Sequence, residues 1–249
     1  MNLRDLQASW DALGHSDPLW AILADESKKG RRWSPDEFFQ TGDHEVAALM
    51  AHVRSLGVVF ATRTALDFGC GVGRLTQALA DHFDEAVGVD LSPAMIRLAE
   101  QYNRHPDRCR YYVNARADLA RFPTGYFGFV LSFLTLQHIP RQYTRLYIPE
   151  LVRVLAPGGL ICLQLPSAPA GVAARLRVPM WRTRSVLRVL LARIGVGRPT
   201  GMAMYGVAPD AVRAMFHAAG GRMVEVIRAD DFTPGWTGYR YIATRDAPG

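Results

Sequence analysis

The chain has 249 residues, 49% of them hydrophobic and 21% charged, a length and balance that bury a full core and exclude a disordered or fibrous chain. Its net charge of +6, from 29 Lys+Arg against 23 Asp+Glu, is compatible with an anionic partner without requiring one. Three cysteines, Cys70, Cys109 and Cys162, have neither CxxC spacing nor a companion histidine cluster, which argues against a zinc or iron–sulfur site of familiar spacing and against a disulfide framework. They read as buried thiols, and no metal site is expected. No apolar run approaches the roughly 18 to 20 residues of a bilayer span, and Met1-Asn2-Leu3-Arg4-Asp5 lacks the apolar core of a secretory signal. A cytoplasmic protein is expected.

Residues 1–42 carry Trp10, Trp20, Trp33, Phe38 and Phe39 among Gly, Pro and charges and predict short helices joined by turns. Val46, Leu49, Met50, Val53 and Leu56 then fall at helical spacing. From Thr64 strands and helices alternate. The pattern predicts strands at Thr64–Phe68, Ala86–Val89, Cys109–Val113 and Phe127–Phe133. It predicts helices at Arg74–Phe83, from Ser92-Pro93 (N-cap and first-turn proline) to about Tyr102, and near Gln142–Leu155. Ala156-Pro157-Gly158-Gly159 reads as a stop before a strand at Leu160–Leu165. Residues 166–206 interrupt the rhythm with Pro, Gly and Arg and an apolar helical stretch near Val186–Ile194. A helix at Asp210–Ala219 and strands at Arg222–Arg228 and around Tyr239–Thr244 complete the chain. Such alternation implies an α/β fold: a doubly wound, mostly parallel seven-stranded sheet with helices on both faces. The expected organisation is one domain over 43–249 with an inserted helical cap at 166–206, and an aromatic N-terminal cap over 1–42.

The strongest chemical signal is Asp67-Phe68-Gly69-Cys70-Gly71-Val72-Gly73 between a strand and a helix. Glycines let the chain turn tightly and let a ligand touch main chain, and the helix that follows presents free N–H groups. A dinucleotide fingerprint would want a small residue at 74, where Arg74 stands, so the NAD reading weakens. Asp90 ends the next strand, where a carboxylate accepts both hydroxyls of a ribose; its other reading is an N-cap for the helix starting near Ser92.

These residues resemble the class I methyltransferases that use S-adenosylmethionine. Ala65–Gly73 is similar to that family's first motif and Val87-Gly88-Val89-Asp90-Leu91-Ser92 to its second. Phe129–Phe133 and Leu155–Gly159 are similar to its fourth- and fifth-strand signatures. The resemblance implies a Rossmann-like fold and an enzyme with S-adenosylmethionine as cofactor and S-adenosylhomocysteine as product. It implies that Asp67 and the glycines Gly69, Gly71 and Gly73 hold the methionine portion, that Asp90 holds the ribose and that Met95 lies near the adenine; Cys70, Arg74, Leu91 and Phe133 are further candidate donor-binding residues. Residues 114–119, with Asn114, Ala115 and Arg116 as the named candidates, would line the adenine edge. Two positions depart from the pattern. The third strand runs into Asn114-Ala115-Arg116-Ala117-Asp118-Leu119 without the usual acid, which Asn114, Asp118 or main chain would replace, and Gly128 stands where an Asp commonly opens the fourth strand.

Ser132 to Pro140 leave the carboxyl edge of the sheet, the reactive end of such folds. His138 is a candidate general base, or a residue that orients the loop. No Asn/Asp-Pro-Pro-Tyr run and no cysteine follows this strand, which disfavours amino methylation of nucleobases and a covalent cytosine mechanism. The aromatic N-terminus, with Tyr205, Trp236, Tyr239 and Tyr241, is a candidate pocket wall or ordinary core. Arg175, Arg177, Arg182, Arg184, Arg188, Arg193 and Arg198 form either a grip for an anionic group or a solvated face. The expected partner is a small-molecule, lipid-like or glycan acceptor. RNA methylation and an inactive S-adenosylmethionine-binding scaffold are the alternatives, and the oligomeric state is left open.

Overall fold

The structure, a computed structural model, describes residues 1–170, 202–229, 231 and 235–246. The expected helix near Val186–Ile194 and the seven arginines from Arg175 to Arg198 lie outside the described residues. Seven strands form one sheet: β1 (Thr64–Phe68), β2 (Glu85–Asp90), β3 (Cys109–Val113), β4 (Phe127–Ser132), β5 (Leu155–Pro169), β6 (Gly221–Arg228) and β7 (Trp236–Arg245). Their spatial order is β3-β2-β1-β4-β5-β7-β6. The first five are parallel, and β7 runs antiparallel to both β5 and β6. The order reverses direction between β1 and β4, where open α/β sheets place their ligands beyond the strands' carboxyl ends.

Helices cover both faces. One face carries α3 (Pro35–Ser55), α4 (Arg74–Leu79) and α5 (Pro93–Gln101), with Val46, Met50, Val53, Leu79 and Ile96 buried against Ala65, Ala86 and Phe129. The other carries α6 (Arg141–Val154) and α7 (Pro209–Ala218), where Ile148, Leu151, Val212 and Phe216 pack on Leu66, Val130, Ile161 and Tyr241. These strands are buried on both sides and therefore read as continuous apolar runs. Among the described residues no helix is long and apolar enough to cross a membrane.

Three expectations change. The N-terminal segment is more helical than its composition indicated: α1 spans Leu3–Ser16 and α2 Pro18–Ile22. A capping box starts α1, with Asn2 and Asp5 each accepting the other's backbone N–H. The helix expected around 46–56 begins at Pro35 and runs through residue 42, because Phe38 and Phe39 are core residues of its first turns. Ala156–Gly159 lies inside β5 rather than before it, and β5 continues to Pro169, paired with Trp236. The β7 partner pairs with β5 from Leu160 to Pro169 and carries the strand beyond its expected end. Gly128 also has a tertiary reason: a side chain there would overlap the Ala61 carbonyl, where the chain crosses into β1.

Candidate active site

A cavity opens at the reversal point, among the carboxyl ends of β1, β2 and β4. Phe68, Gly69 and Gly71 line it from the first turn, Asp90 and Leu91 from the second, and Phe133, Leu134 and Thr135 from the third. Met95 and Asn114 close one end. Leu3, Leu6 and Trp10 of α1 and Ile22 of α2 form the roof, and His138, Ile139 and Tyr147 the remaining wall. That mixture of apolar surface and a few convergent polar groups is the usual chemistry of a small-molecule site.

The glycine turn is held by main chain. Gly69 N–H and Cys70 N–H both donate to Val89 O, at 2.8 and 3.0 Å. Gly69, Gly71 and Gly73 all have left-handed φ (82°, 53° and 84°), a conformation that disfavours side chains. At Gly69 a side chain would also overlap Thr135, whose hydroxyl reaches Gly69 O at 3.1 Å. At Gly71 a Cβ would stand 2.5 Å from Ile22 Cδ1.

Asp90 lines the cavity and is not the N-cap of α5, a place taken by Ser92. Its Oδ2 accepts Gly71 N–H at 2.9 Å and its Oδ1 accepts Ser92 N–H at 2.8 Å. The side chain thus ties the turn after β1 to the start of α5 while lining the cavity. Burial pushes its pKa up, and the N–H donors from Ser92 and Gly71 oppose that. Ser92 caps α5, accepting Met95 N–H at 3.2 Å, with Pro93 in the first turn.

The structure brings Gly69, Gly71, Asp90, Leu91, Met95, Asn114, Phe133 and His138 to the cavity; the other candidates stand apart from it. Asp67 is buried behind the turn, accepting Thr76 Oγ1–H at 2.7 Å, and burial pushes its pKa up to about 7. Cys70 is buried against the Gly88 backbone, and burial raises its thiol pKa. Gly73 starts α4, where a Cβ would meet Tyr111 Oη at 2.6 Å. Arg74 turns away toward α3: its guanidinium pairs with Glu45 at 2.8 Å and donates to Thr41 Oγ1 at 3.2 Å. Ala115 and Arg116 lie outside, with Arg116 paired to Asp118 on the surface. Asn114 instead braces this loop, donating to Asp118 O at 3.1 Å. Of the candidate aromatics only Trp10 and Phe133 reach the cavity; Tyr205, Trp236, Tyr239 and Tyr241 do not.

His138 lies on a one-turn 3₁₀ helix, Leu136–His138. Burial pushes its pKa down to about 4, partly opposed by its bond to Ala203 O. Its Nδ1 lies 3.0 Å from that carbonyl, which requires a proton on Nδ1 and leaves Nε2 to accept from Gln137 Nε2 at 3.1 Å. Trp10 meets the ring edge-on at 5.3 Å. The imidazole is therefore neutral at neutral pH and held from three sides.

Sequence reasoning missed Leu3, Leu6, Ile22 and Tyr147, while Leu134 and Thr135 lie in the 132–140 run expected at the reactive edge. Leu134 has a φ of 56°, strain for a branched side chain that commonly marks functional turns. Nothing in its identity announces that conformation. The amphipathic period of α1 could have flagged Leu3, Leu6 and Trp10 as one buried stripe.

Residues 66–163 match a family described as a methyltransferase domain. The chain is 33% identical over 132 residues to a ubiquinone biosynthesis O-methyltransferase of Methylococcus capsulatus, covering 53% of this chain and 54% of that protein. It is 33% identical over 150 residues to a trans-aconitate 2-methyltransferase of Methylobacterium radiotolerans, covering 58% and 53%. The matched part spans about half the length of these relatives. Among solved structures, magnesium protoporphyrin IX methyltransferase of Synechocystis PCC 6803, with bound SAH, superposes with a TM-score of 0.63 at 19% identity, covering 98% of this chain and 99% of that one. That likeness shows the fold. The sequence likeness to methyltransferases thus lies in residues 66–163, from β1 into β5.

Proposed function

We propose that the protein transfers a methyl group from S-adenosylmethionine to a small acceptor with a largely apolar body. The observation that carries this reading is the junction of Gly71 and Asp90 on one cavity wall. A carboxylate has about four lone-pair sites, and Asp90 uses one on each oxygen for Gly71 and Ser92. That leaves the carboxylate lone pairs with which to accept from vicinal hydroxyls. The bare main chain of Gly69 and Gly71 leaves room for the amino-acid end of the donor, and Met95 and Leu91 supply apolar surface for a base. These residues fit an adenosyl group.

S-adenosylmethionine supplies an activated methyl on a sulfonium, so the protein has mainly to hold two molecules in line and exclude water, which contributes about 7 to 11 kcal/mol in favourable cases. The roof of Leu3, Leu6, Trp10 and Ile22 keeps water out. A neutral His138 whose two nitrogens are already engaged orients the wall beside Trp10 and takes no proton in this arrangement. The reading therefore favours an acceptor atom that is nucleophilic without strong deprotonation. Both relatives are named for small-molecule chemistry, which supports a metabolite-sized acceptor over RNA.

Calorimetry with S-adenosylmethionine and S-adenosylhomocysteine tests the donor half. Wild-type protein binds both, and Asp90→Ala weakens binding by about 10- to 100-fold, the worth of a charged hydrogen bond of roughly 1.5 to 3 kcal/mol. An absence of heat with the wild-type protein overturns the reading.

A further inference from the structure

α1 is tied to the donor side of the cavity at points that no motif marks. Gln7 Nε2–H donates to Leu91 O at 2.9 Å. One turn on, Asp11 Oδ1 accepts two bonds from the start of α5: Ala94 N–H at 2.8 Å and Ser92 Oγ–H at 3.1 Å. Anionic oxygen is favoured there by the free N–H groups and the dipole of the helix end. α1 comes close enough because residue 14 is glycine, where a Cβ would lie 2.9 Å from Ala94 Cβ.

The same Ser92 is held from its other side by Asp90, whose Oδ1 accepts the Ser92 N–H. Two carboxylates thus grip one residue: Asp90 from inside the cavity, Asp11 from the helix that roofs it. Asp11 itself does not line the cavity, but its neighbours in the helix do: Leu6, and Trp10 set against His138. The second Asp11 oxygen stands 3.9 Å from His15 Nδ1, at the outer end of α1.

We propose that Asp11 is a positioning residue of the donor site: by fixing α1 to the first turn of α5 it sets Leu6 and Trp10 as the wall that encloses a ligand held at Asp90. The proposal rests on the donor reading above and adds that a residue outside the cavity governs how tightly the donor is kept. Asn at this position keeps an oxygen that accepts both bonds; Ala keeps none.

The test is S-adenosylhomocysteine binding to wild type, Asp11→Ala and Asp11→Asn, with hydrogen exchange of the α1 amides read alongside. Asp11→Ala is expected to bind about tenfold more weakly and Asp11→Asn within about threefold of wild type, a tenfold change corresponding to about 1.4 kcal/mol. Ligand slows exchange across α1 in wild type and Asp11→Asn but not in Asp11→Ala. If Asp11→Ala binds within twofold of wild type and shows the same slowing, Asp11 is a structural tether only and the proposal fails. If wild type itself binds nothing, the donor reading fails first, a separate outcome. Should Asp11→Ala not fold, Gln7→Ala reads the neighbouring tie of α1, to Leu91 O: binding about threefold weaker at an unchanged melting temperature supports the proposal, and wild-type affinity overturns it.

Discussion

The floor and the roof of the cavity are built by opposite rules. The floor is main chain in unusual conformations, with three left-handed glycines within five residues and a carboxylate nineteen positions later bonded to the turn they form. The roof is side-chain volume from two N-terminal helices, anchored to partners as far as 84 residues away. A floor of this kind tolerates few alternatives at each position, because φ and Cβ clearance decide. A roof needs only apolar bulk of about the right shape.

The sharpest way to break this contrast is Gly69→Ala. A side chain there meets both a φ of 82° and the Thr135 side chain, and strain plus overpacking should cost about 3 to 4 kcal/mol of stability. Urea unfolding measures it, and near-wild-type stability would show that the floor is not conformationally specified.

His138, where roof and floor meet, gives an intermediate effect that depends on pH. Its folded pKa of about 4 lies below the roughly 6.5 of an exposed imidazole, so the unfolded state binds more protons between these values. The stability this contributes is fully present above about 6.5 and is lost as pH falls through about 4. Wild type should therefore lose stability between pH 6.5 and 4, and His138→Gln should lose less over the same window, as read by denaturant midpoints at each pH. An imidazole resonance of His138 that titrates near pH 6.5 in the folded protein would refute the buried, neutral assignment.

The smallest effect belongs to the roof. Ile22→Leu keeps the volume over Gly71, and both stability and S-adenosylhomocysteine affinity should stay close to wild type, with a stability cost below about 1.5 kcal/mol. A loss as large as that of Gly69→Ala would mean that the roof is as tightly specified as the floor.

Much of the central sheet was legible from residues 64–165, since buried parallel strands are continuous apolar runs and Ser92-Pro93 is an unambiguous helix start. Strand β3 was read to the residue, and β1 likewise. The candidate site was legible where a position demands a conformation, at Gly69 and Gly71, or a charge at a strand end, at Asp90. It was not legible where direction matters. Arg74 follows the glycine turn in sequence, yet its side chain leaves for Glu45 across α3, which comes close because residue 42 is glycine: a Cβ there would lie 2.9 Å from Arg74 Cγ. Asp67 likewise belongs to the turn's sequence but faces Thr76, away from the cavity.

The amino-acid sequence alone determined the alternation of strands and helices, the glycine turn and the acid that follows it, because each depends on backbone propensity and on contacts between neighbouring stretches of chain. Tertiary structure alone decided which side chains of the N-terminal helices cover that turn, that His138 is buried and neutral, and that β5 runs on past its glycines. Those outcomes depend on long-range packing and desolvation, whose energies are set by partners that local sequence does not name.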